Sequence, residues 1–445
     1  MRAATSAGPV SRDLYLARFE SLLARRGPAE PTWLTTIRRH AIERFAELGF
    51  PTTRDEEWRF TNVTPIADTP FDQVDGPPQV ARAQLAPFVV RQLSCTQLVF
   101  VNGCFVPALS SMRALPRGVH VTSLAAALTS DPGMVDPYFT RCADFERQAF
   151  TALNTALTED GAFVYIPAGT SVSEPIHLLY FTTTASPVVS HPRTIIVVGD
   201  DSQVRVIETH AGETGDFYFT NAVTEIVGGE HSRLEHYRVQ RESFAAHHVS
   251  TTHAHLERGA VFTQANVTFG GALVRNDITA RLDAQEIECT LNGLYLAHGR
   301  RLVDNHTTIV HAQPHCASHE LYKGMLDGHS RGVFNGKIFV RPDAQKTDAK
   351  QTNQVLLLSD NATINTKPQL EIFADDVKCT HGATVGQLDE EALFYLRARG
   401  IGHDEARAIL IHAFASDIID RVTIEPLRAA LEETLLTLLP KQAQA

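Results

Sequence analysis

The segment 376–386, DVKCTHGATVG, places a cysteine two positions before a histidine. Thiolate and imidazole groups are both ligands for iron and other transition metals. If the segment is a β-strand, its side chains alternate, so Cys379 and His381 share one face. The spacing does not fit the usual zinc frameworks, whose ligands pair about two to four residues apart and recur as a second pair. Taken alone, the pair is more typical of a small buried cysteine and a structural histidine than of a site.

A second concentration of potential ligands lies in HAQPHCASHELYKGMLDGHSRGVFNGKIFV. His311, His315 and His319 occupy odd-numbered positions and would share one face of a strand, whereas Cys316 would lie on the other face. On a straight strand the three imidazoles extend over some eight residues at about 3.3 Å each, and Pro314 interrupts the ladder, so they cannot bind one ion. We expect a surface or inter-coil row of histidines. The glycine-rich continuation lacks a Gly-Lys-Ser/Thr ending and predicts corners, not a phosphate loop.

Composition restricts the class of protein that these residues serve. The chain has 445 residues, of which 43% are hydrophobic, and a net charge of -11. The acidic balance argues against nucleic-acid binding and favours a protein partner. No stretch reaches the roughly 18 to 20 apolar residues of a membrane span, and the six scattered cysteines lack a C-x-x-C motif, so we expect a cytoplasmic protein without a membrane partner.

The elements that must position these side chains change in character along the chain. Apolar residues recur at helical spacing from Trp33 to Leu48, and Gly49 follows as a stop. We expect residues 1–159 to form an N-terminal helical and mixed region. Residues 388–445 should form a C-terminal helical domain.

Two helices are expected in that C-terminal domain. Asp404 is a candidate cap for the first, and Pro426 suits the first turn of the second. An apolar stripe on the first helix makes Leu410 and Phe414 candidate anchors for a partner.

Between residues 160 and 387 the pattern is that of short β-strands separated by regularly spaced turns. Most turn signals lie about 15 residues or twice that distance apart, at Gly199, Gly228, Gly259, Asp283, Gly299, Gly328, Asp360 and Asp375. Such spacing predicts a mainly β chain with a parallel β-helix, a solenoid in which each coil buries its apolar face on its neighbours. A double-sheet jelly roll is the competing fold.

The chain contains the long motifs DNHTTIVHAQPHCASHELYKGMLDGHSRGVFNGKIFV, AQKTDAKQTNQVLLLSDNATINTKPQLEIFADDVKCTHGATVG and LFYLRARGI, together with the N-terminal FPTTRDEEWRFTN. These motifs resemble the SufB/SufD family of the Suf system for iron-sulfur cluster assembly. The phrase KCTHGATVG resembles the SufD branch rather than the SufB branch. Residues 60–160 resemble little that we can identify.

The resemblance implies a right-handed parallel β-helix core flanked by helical parts. It also implies a non-catalytic scaffold that stands beside a SufB-like paralogue and docks a SufC-like ABC ATPase through its C-terminal helices. No cofactor is expected in the isolated chain, whereas the complex would hold a transient iron-sulfur cluster. A homodimer of the isolated chain is left open.

The resemblance also implies a role for the opening segment. The histidine matching His381 faces the paralogue, where it would contribute to a metal site shared with the partner chain, and Cys379 lies alongside. We rank His381 above Cys379, and both above His311, His315, His319 and Cys316.

Two enzyme classes compete with the scaffold. A β-helix carbohydrate enzyme needs paired carboxylates on one face, whereas Asp375 and Asp376 are adjacent and are better explained as a turn. A jelly-roll or β-helix metalloenzyme acting alone would bind a full complement of metal.

Overall fold

A computed structural model describes residues 9–73 and 76–439. Ten α-helices are described: α1 Pro9–Arg26, α2 Thr32–Leu48, α3 Thr64–Ala67, α4 Arg82–Leu85, α5 Leu124–Ser130, α6 Pro132–Val135, α7 Ala149–Leu157, α8 Glu390–Arg397, α9 His403–Ile419 and α10 Glu425–Leu438. The strands described are β1 Asp72–Gln73, β2 Thr96–Val101, β3 Cys104–Phe105, β4 His120–Ser123, β5 Gly161–Ile166, β6 Ile176–Thr182, β7 Val188–Ser190, β8 Arg193–Val198, β9 Gln203–Gly212, β10 Tyr218–Gly228, β11 Arg233–Arg241, β12 His247–Leu256, β13 Val261–Thr268, β14 Leu273–Leu282, β15 Glu288–Ala297, β16 Leu302–His311, β17 Ala317–Leu326, β18 Arg331–Val340, β19 Asp348–Leu357, β20 Thr363–Ile372 and β21 Lys378–Gly386.

These strands form a parallel β-solenoid of about eight turns. From β8 onwards, successive strands alternate between two sheets, so that each coil adds one strand to each. Sheet 1 runs in the order β20-β18-β16-β14-β12-β10-β8-β5-β4, and sheet 2 in the order β21-β19-β17-β15-β13-β11-β9-β6-β2-β3. The predicted mainly β solenoid with helices at both ends is therefore confirmed, and the jelly roll is not formed.

The repeat length explains the spacing of the turn residues. Leu234 pairs with Phe262, 28 residues later, and Ala349 pairs with Cys379, 30 residues later. A coil has two strands and two main corners, so turn residues recur at about half the coil length. Gly259 shows why such corners select glycine: its φ is +65°, and a Cβ there would lie 2.3 Å from Nδ1 of His231 on the preceding coil.

Helices cover the outer faces of the two sheets. In the N-terminal part, α1, α2 and α7 pack with Phe219 and Val249 of sheet 1. In the C-terminal part, α9 and α10 pack with Tyr237 and Val267 of sheet 2. The strands β2 and β4, which lie before residue 160, extend the two sheets at the N-terminal end of the solenoid.

The helix predictions are confirmed with one correction. The Trp33 to Leu48 pattern corresponds to α2, which ends before Gly49, and Pro426 lies in the first turn of α10. The capping prediction for Asp404 is wrong, because α9 begins at His403 after the extended backbone of Gly402. The Asp404 carboxylate therefore lies in the first turn, where it still interacts favourably with the helix dipole.

A charged network is buried inside the first half of the solenoid. Arg238 donates to Nε2 of His248 at 2.7 Å, and Nδ1 of His248 lies 2.7 Å from Glu242. Glu208, the register neighbour of Arg238, accepts a hydrogen bond from His210 at 2.8 Å. Burial disfavours the charged form of Glu242, but its polar partners, led by His248, lower its pKa to about 2. Both carboxylates are thus held ionised by the groups around them.

Candidate functional site

Cys379 and His381 lie on β21, the last strand of sheet 2, which pairs only with β19 among the residues that the structure describes. Their register partners are Ala349 and Gln351, both buried in the solenoid interior. Because register neighbours in a parallel sheet point to the same side, Cys379 and His381 both face the interior side of the last coil. The strand alternation therefore brings the thiol and the imidazole to one face.

The two side chains differ in exposure. Cys379 is half-buried against the apolar cluster that contains Ile338 and Ala349. Burial and the nearby carboxylate of Asp348 raise the pKa of the Cys379 thiol, which favours its neutral form. This geometry is that of a packing cysteine.

His381 is exposed although its register position belongs to the interior column. It has this exposure because the chain leaves the solenoid after β21 towards α8, and the described residues up to 439 add no further coil. No protein hydrogen bond or ion pair is found for its ring in the described residues. The imidazole is accordingly available to bind a metal or to relay a proton across an interface.

The end of the solenoid around His381 presents two open strand edges. β20 is the terminal strand of sheet 1, as β21 is of sheet 2. Exposed apolar side chains accompany both edges, including Phe373 at 56% and Val385 at 44% of their full exposure. Unpaired strand edges with apolar side chains are a template for pairing with another chain.

The other predicted ligands are not brought together. His311 ends β16 and is buried within 2.9 Å of the Ser318 hydroxyl, and burial lowers its pKa to about 4. His315 lies in the corner between strands with a φ of +63°, and His319 lies on β17. The chain bends at Pro314, so the expected row on one strand face is not formed. Cys316 is buried and donates to the carbonyl of Ala284.

The two predicted docking residues lie about one helical turn apart on the same helix. Leu410 and Phe414 lie on α9, and both are half-buried. Phe414 packs against the solenoid, where the Lys323 ammonium lies 4.5 Å from its ring centre. The more exposed aromatic side chains are Phe394, at 72%, and Tyr395, at 57%, on α8.

The sequence prediction missed these two aromatic residues. In EEALFYLR, only Leu393 is buried. Two adjacent aromatic residues cannot both face the core of such a short amphipathic helix, and that pattern is the signal that could have identified them.

Within residues 9–73 and 76–439, no three His, Cys, Asp or Glu side chains are grouped so that they could hold one metal ion. His381 could therefore supply only part of a ligand set. None of the helices described is long and apolar enough to cross a membrane.

The chain is similar to known proteins over most of its length. Residues 180–414 match the family model described as SUF system FeS cluster assembly, SufBD core domain, and residues 12–178 match the SufBD protein N-terminal region. The chain is 34% identical to an iron-sulfur cluster assembly SufBD family protein of Synechocystis sp., over 91% of each chain. It is 28% identical to the iron-sulfur cluster assembly protein SufD of Escherichia coli, over 90% of this chain and 92% of that one. A chloroplastic protein of Arabidopsis thaliana is 29% identical, over 88% of this chain and 84% of its own.

Proposed function

Since this chain belongs to the SufBD family, whose proteins assemble iron-sulfur clusters, we propose that it is the SufD-type scaffold subunit of a complex with a SufB-like paralogue and a SufC-like ATPase. The scaffold itself catalyses no reaction. It contributes His381 to an interface where a cluster is built as cargo.

The observation that carries this proposal is the open end of the solenoid. An exposed imidazole lies on the interior face of a terminal strand, which also carries the exposed Val385, and the terminal strand of the other sheet is β20. A paralogue with the same fold would have an equivalent pair of edges. Association of the two ends would cover both edges and bring the partner's ligands to His381.

The second interface is assigned to the C-terminal helices. Phe394 and Tyr395 on α8 form an exposed aromatic pair, and Leu410 on α9 is partly accessible. Aromatic side chains are enriched among the residues that dominate binding energy at protein interfaces. We place the ATPase on this surface, with Phe414 supporting α9 from its buried side.

A reducing compartment fits the cysteines. All six are free thiols, including the buried Cys289 and Cys316. We therefore place the complex in the cytoplasm. The competing view of a metalloenzyme acting alone has no support in the grouping of potential ligands in the described residues.

The test is the composition of the complex. Val385→Asp, introduced in the full chain and co-expressed with the paralogue and ATPase of the same host, should abolish association with the paralogue, because a charge would be buried at the joined edges. Met112→Asp is the matched control, since Met112 is also exposed (56%) but lies beside sheet 2 near its N-terminal strands. Native mass spectrometry should show the three-protein complex for the wild type and Met112→Asp. A complete complex containing Val385→Asp would refute the assignment of this end as the paralogue interface.

A further inference from the structure

A column of three polar side chains leads from the solenoid interior to His381. In sheet 2, Glu320 on β17 pairs with Gln351 on β19, and Gln351 pairs with His381 on β21. Glu320 and Gln351 are 3% and 1% exposed, respectively. The amide nitrogen of Gln351 donates to Oε2 of Glu320 at 2.7 Å.

The opposite side of the Gln351 amide is without a partner. Its Oε1 atom is buried and has no hydrogen bond in the described part of the chain. An unpartnered buried carbonyl oxygen is unfavourable, because it has lost its hydrogen bonds to water without replacement. The next side chain along the column is the imidazole of His381, whose ring carries an N–H in either neutral form.

A glycine in the opposite sheet leaves space for the Gln351 side-chain amide. Gly336 on β18 lies across the interior from Gln351, and a Cβ there would lie 2.3 Å from Nε2 of Gln351 and 2.7 Å from its Cδ. The Gly336 backbone does not need a positive φ, so the absence of a side chain serves to leave room for the amide.

Glu320 determines which way the amide faces. An ionised carboxylate only accepts hydrogen bonds, so Gln351 must turn its NH2 group towards Glu320 and its oxygen away from it. Burial raises the pKa of Glu320 to about 7, while the nearby Thr307 and Gln351 oppose the rise, so the ionised form dominates at pH 8. The other titratable neighbours, Cys289 and Tyr322, are themselves kept neutral by burial.

We propose that Gln351 is a positioning residue for His381: the exposed imidazole, which makes no hydrogen bond within the described residues, rotates so that its ring N–H donates to the Gln351 amide oxygen, while Glu320 holds the amide nitrogen on the other side. This inference rests on the function proposed for His381. The hydrogen bond fixes one tautomer and one ring orientation, so that the second, unprotonated ring nitrogen faces the partner chain. Metal-binding histidines generally require such a fixed second hydrogen bond.

The direct test is the tautomer of His381 in the full chain at pH 8. Nitrogen NMR of histidine-labelled protein distinguishes the two ring nitrogens, and His381→Ala identifies the signal. In the wild type, one nitrogen should carry nearly all of the proton. Gln351→Met keeps the chain length but removes the amide, and should give a mixture of tautomers. Glu320→Gln should weaken the preference, because a neutral amide no longer dictates how Gln351 faces.

Gln264→Met is the matched control. Gln264 is equally buried in the same column, donates to His236 at 3.2 Å and also has an unpartnered oxygen, but it does not adjoin His381. It should leave the His381 tautomer unchanged. If Gln351→Met does not fold, Gly336→Ala displaces the same amide and should give the same mixture. A single His381 tautomer in folded Gln351→Met or Gly336→Ala would overturn the proposal.

The rate of cluster assembly distinguishes a failure of this inference from a failure of the proposed function. Per mole of assembled complex, Gln351→Met should lose about 10- to 100-fold of activity, as for other residues that orient metal ligands, and Gln264→Met should not. If His381→Ala assembles clusters normally while the tautomer still depends on Gln351, the proposed role of His381 fails and the positioning contact stands. If His381→Ala is inactive but Gln351→Met is fully active, the positioning role fails alone.

Discussion

The exposed aromatic residue Phe394 gives the sharpest prediction for the ATPase interface. Its side chain is 72% exposed in the chain by itself. Complete burial of a phenylalanine is worth about 1.5 to 3 kcal/mol, so burial of the exposed fraction corresponds to about 1 to 2 kcal/mol. Phe394→Ala should therefore weaken binding of the ATPase about 5- to 30-fold. The melting temperature of the isolated variant should not change, because few contacts within the chain are lost.

Phe414→Ala provides the contrast on the neighbouring helix. The Phe414 ring packs against the solenoid and beneath Lys323, so its removal should destabilise the isolated chain by about 1 to 3 kcal/mol. Isothermal titration calorimetry with the ATPase and thermal unfolding of each isolated variant measure the two effects. Wild-type affinity for Phe394→Ala, with weaker binding for Phe414→Ala at temperatures where it is folded, would refute the assignment of α8 and return the interface to α9.

Two further predictions concern stability. The pKa of Glu242 is lowered on folding, so its contribution to stability is present above its unfolded pKa and is lost as the pH falls from about 4.5 towards 2. Urea unfolding between these pH values measures the number of protons taken up when the protein unfolds. That number should be smaller for Glu242→Gln than for the wild type, by up to one. A Cβ at Gly293 would lie 2.1 Å from the ring of Tyr322, so Gly293→Ala should lower the free energy of unfolding by about 1 to 3 kcal/mol. Gly382→Ala, where no atom lies within 4 Å of the added Cβ, is its control, and equal losses in the two variants would contradict the packing argument.

The architecture could be predicted from the sequence because its signals are local. Corner residues such as Asp283 and Gly299 recur at about half-coil spacing, and alternation marks the strands between the corners. The 3.6-residue spacing marks α2 equally well. Each of these patterns reflects backbone geometry within a few residues, so the order of the elements follows from the sequence alone.

The candidate site depends on contacts that are not local. Glu320, Gln351 and His381 are about 30 residues apart, and only the register of the coils brings them into one column. The alternation of side chains along a strand predicted that Cys379 and His381 share a face. It did not predict that Cys379 packs against the core while His381 is exposed. That difference arises because β21 is the last strand, so only its inner positions nearest the corner are covered.

The central claim is that His381 takes part in cluster assembly and does not merely support the fold. The measurement is the rate of iron-sulfur cluster assembly per mole of correctly assembled complex, compared for the wild type, His381→Ala and the exposed control His319→Ala. We predict an intact complex with sharply reduced assembly for His381→Ala, a milder loss for Cys379→Ala and wild-type assembly for His319→Ala. Equal specific activity of His381→Ala and the wild type would contradict the account and assign the ligands to the partner chains.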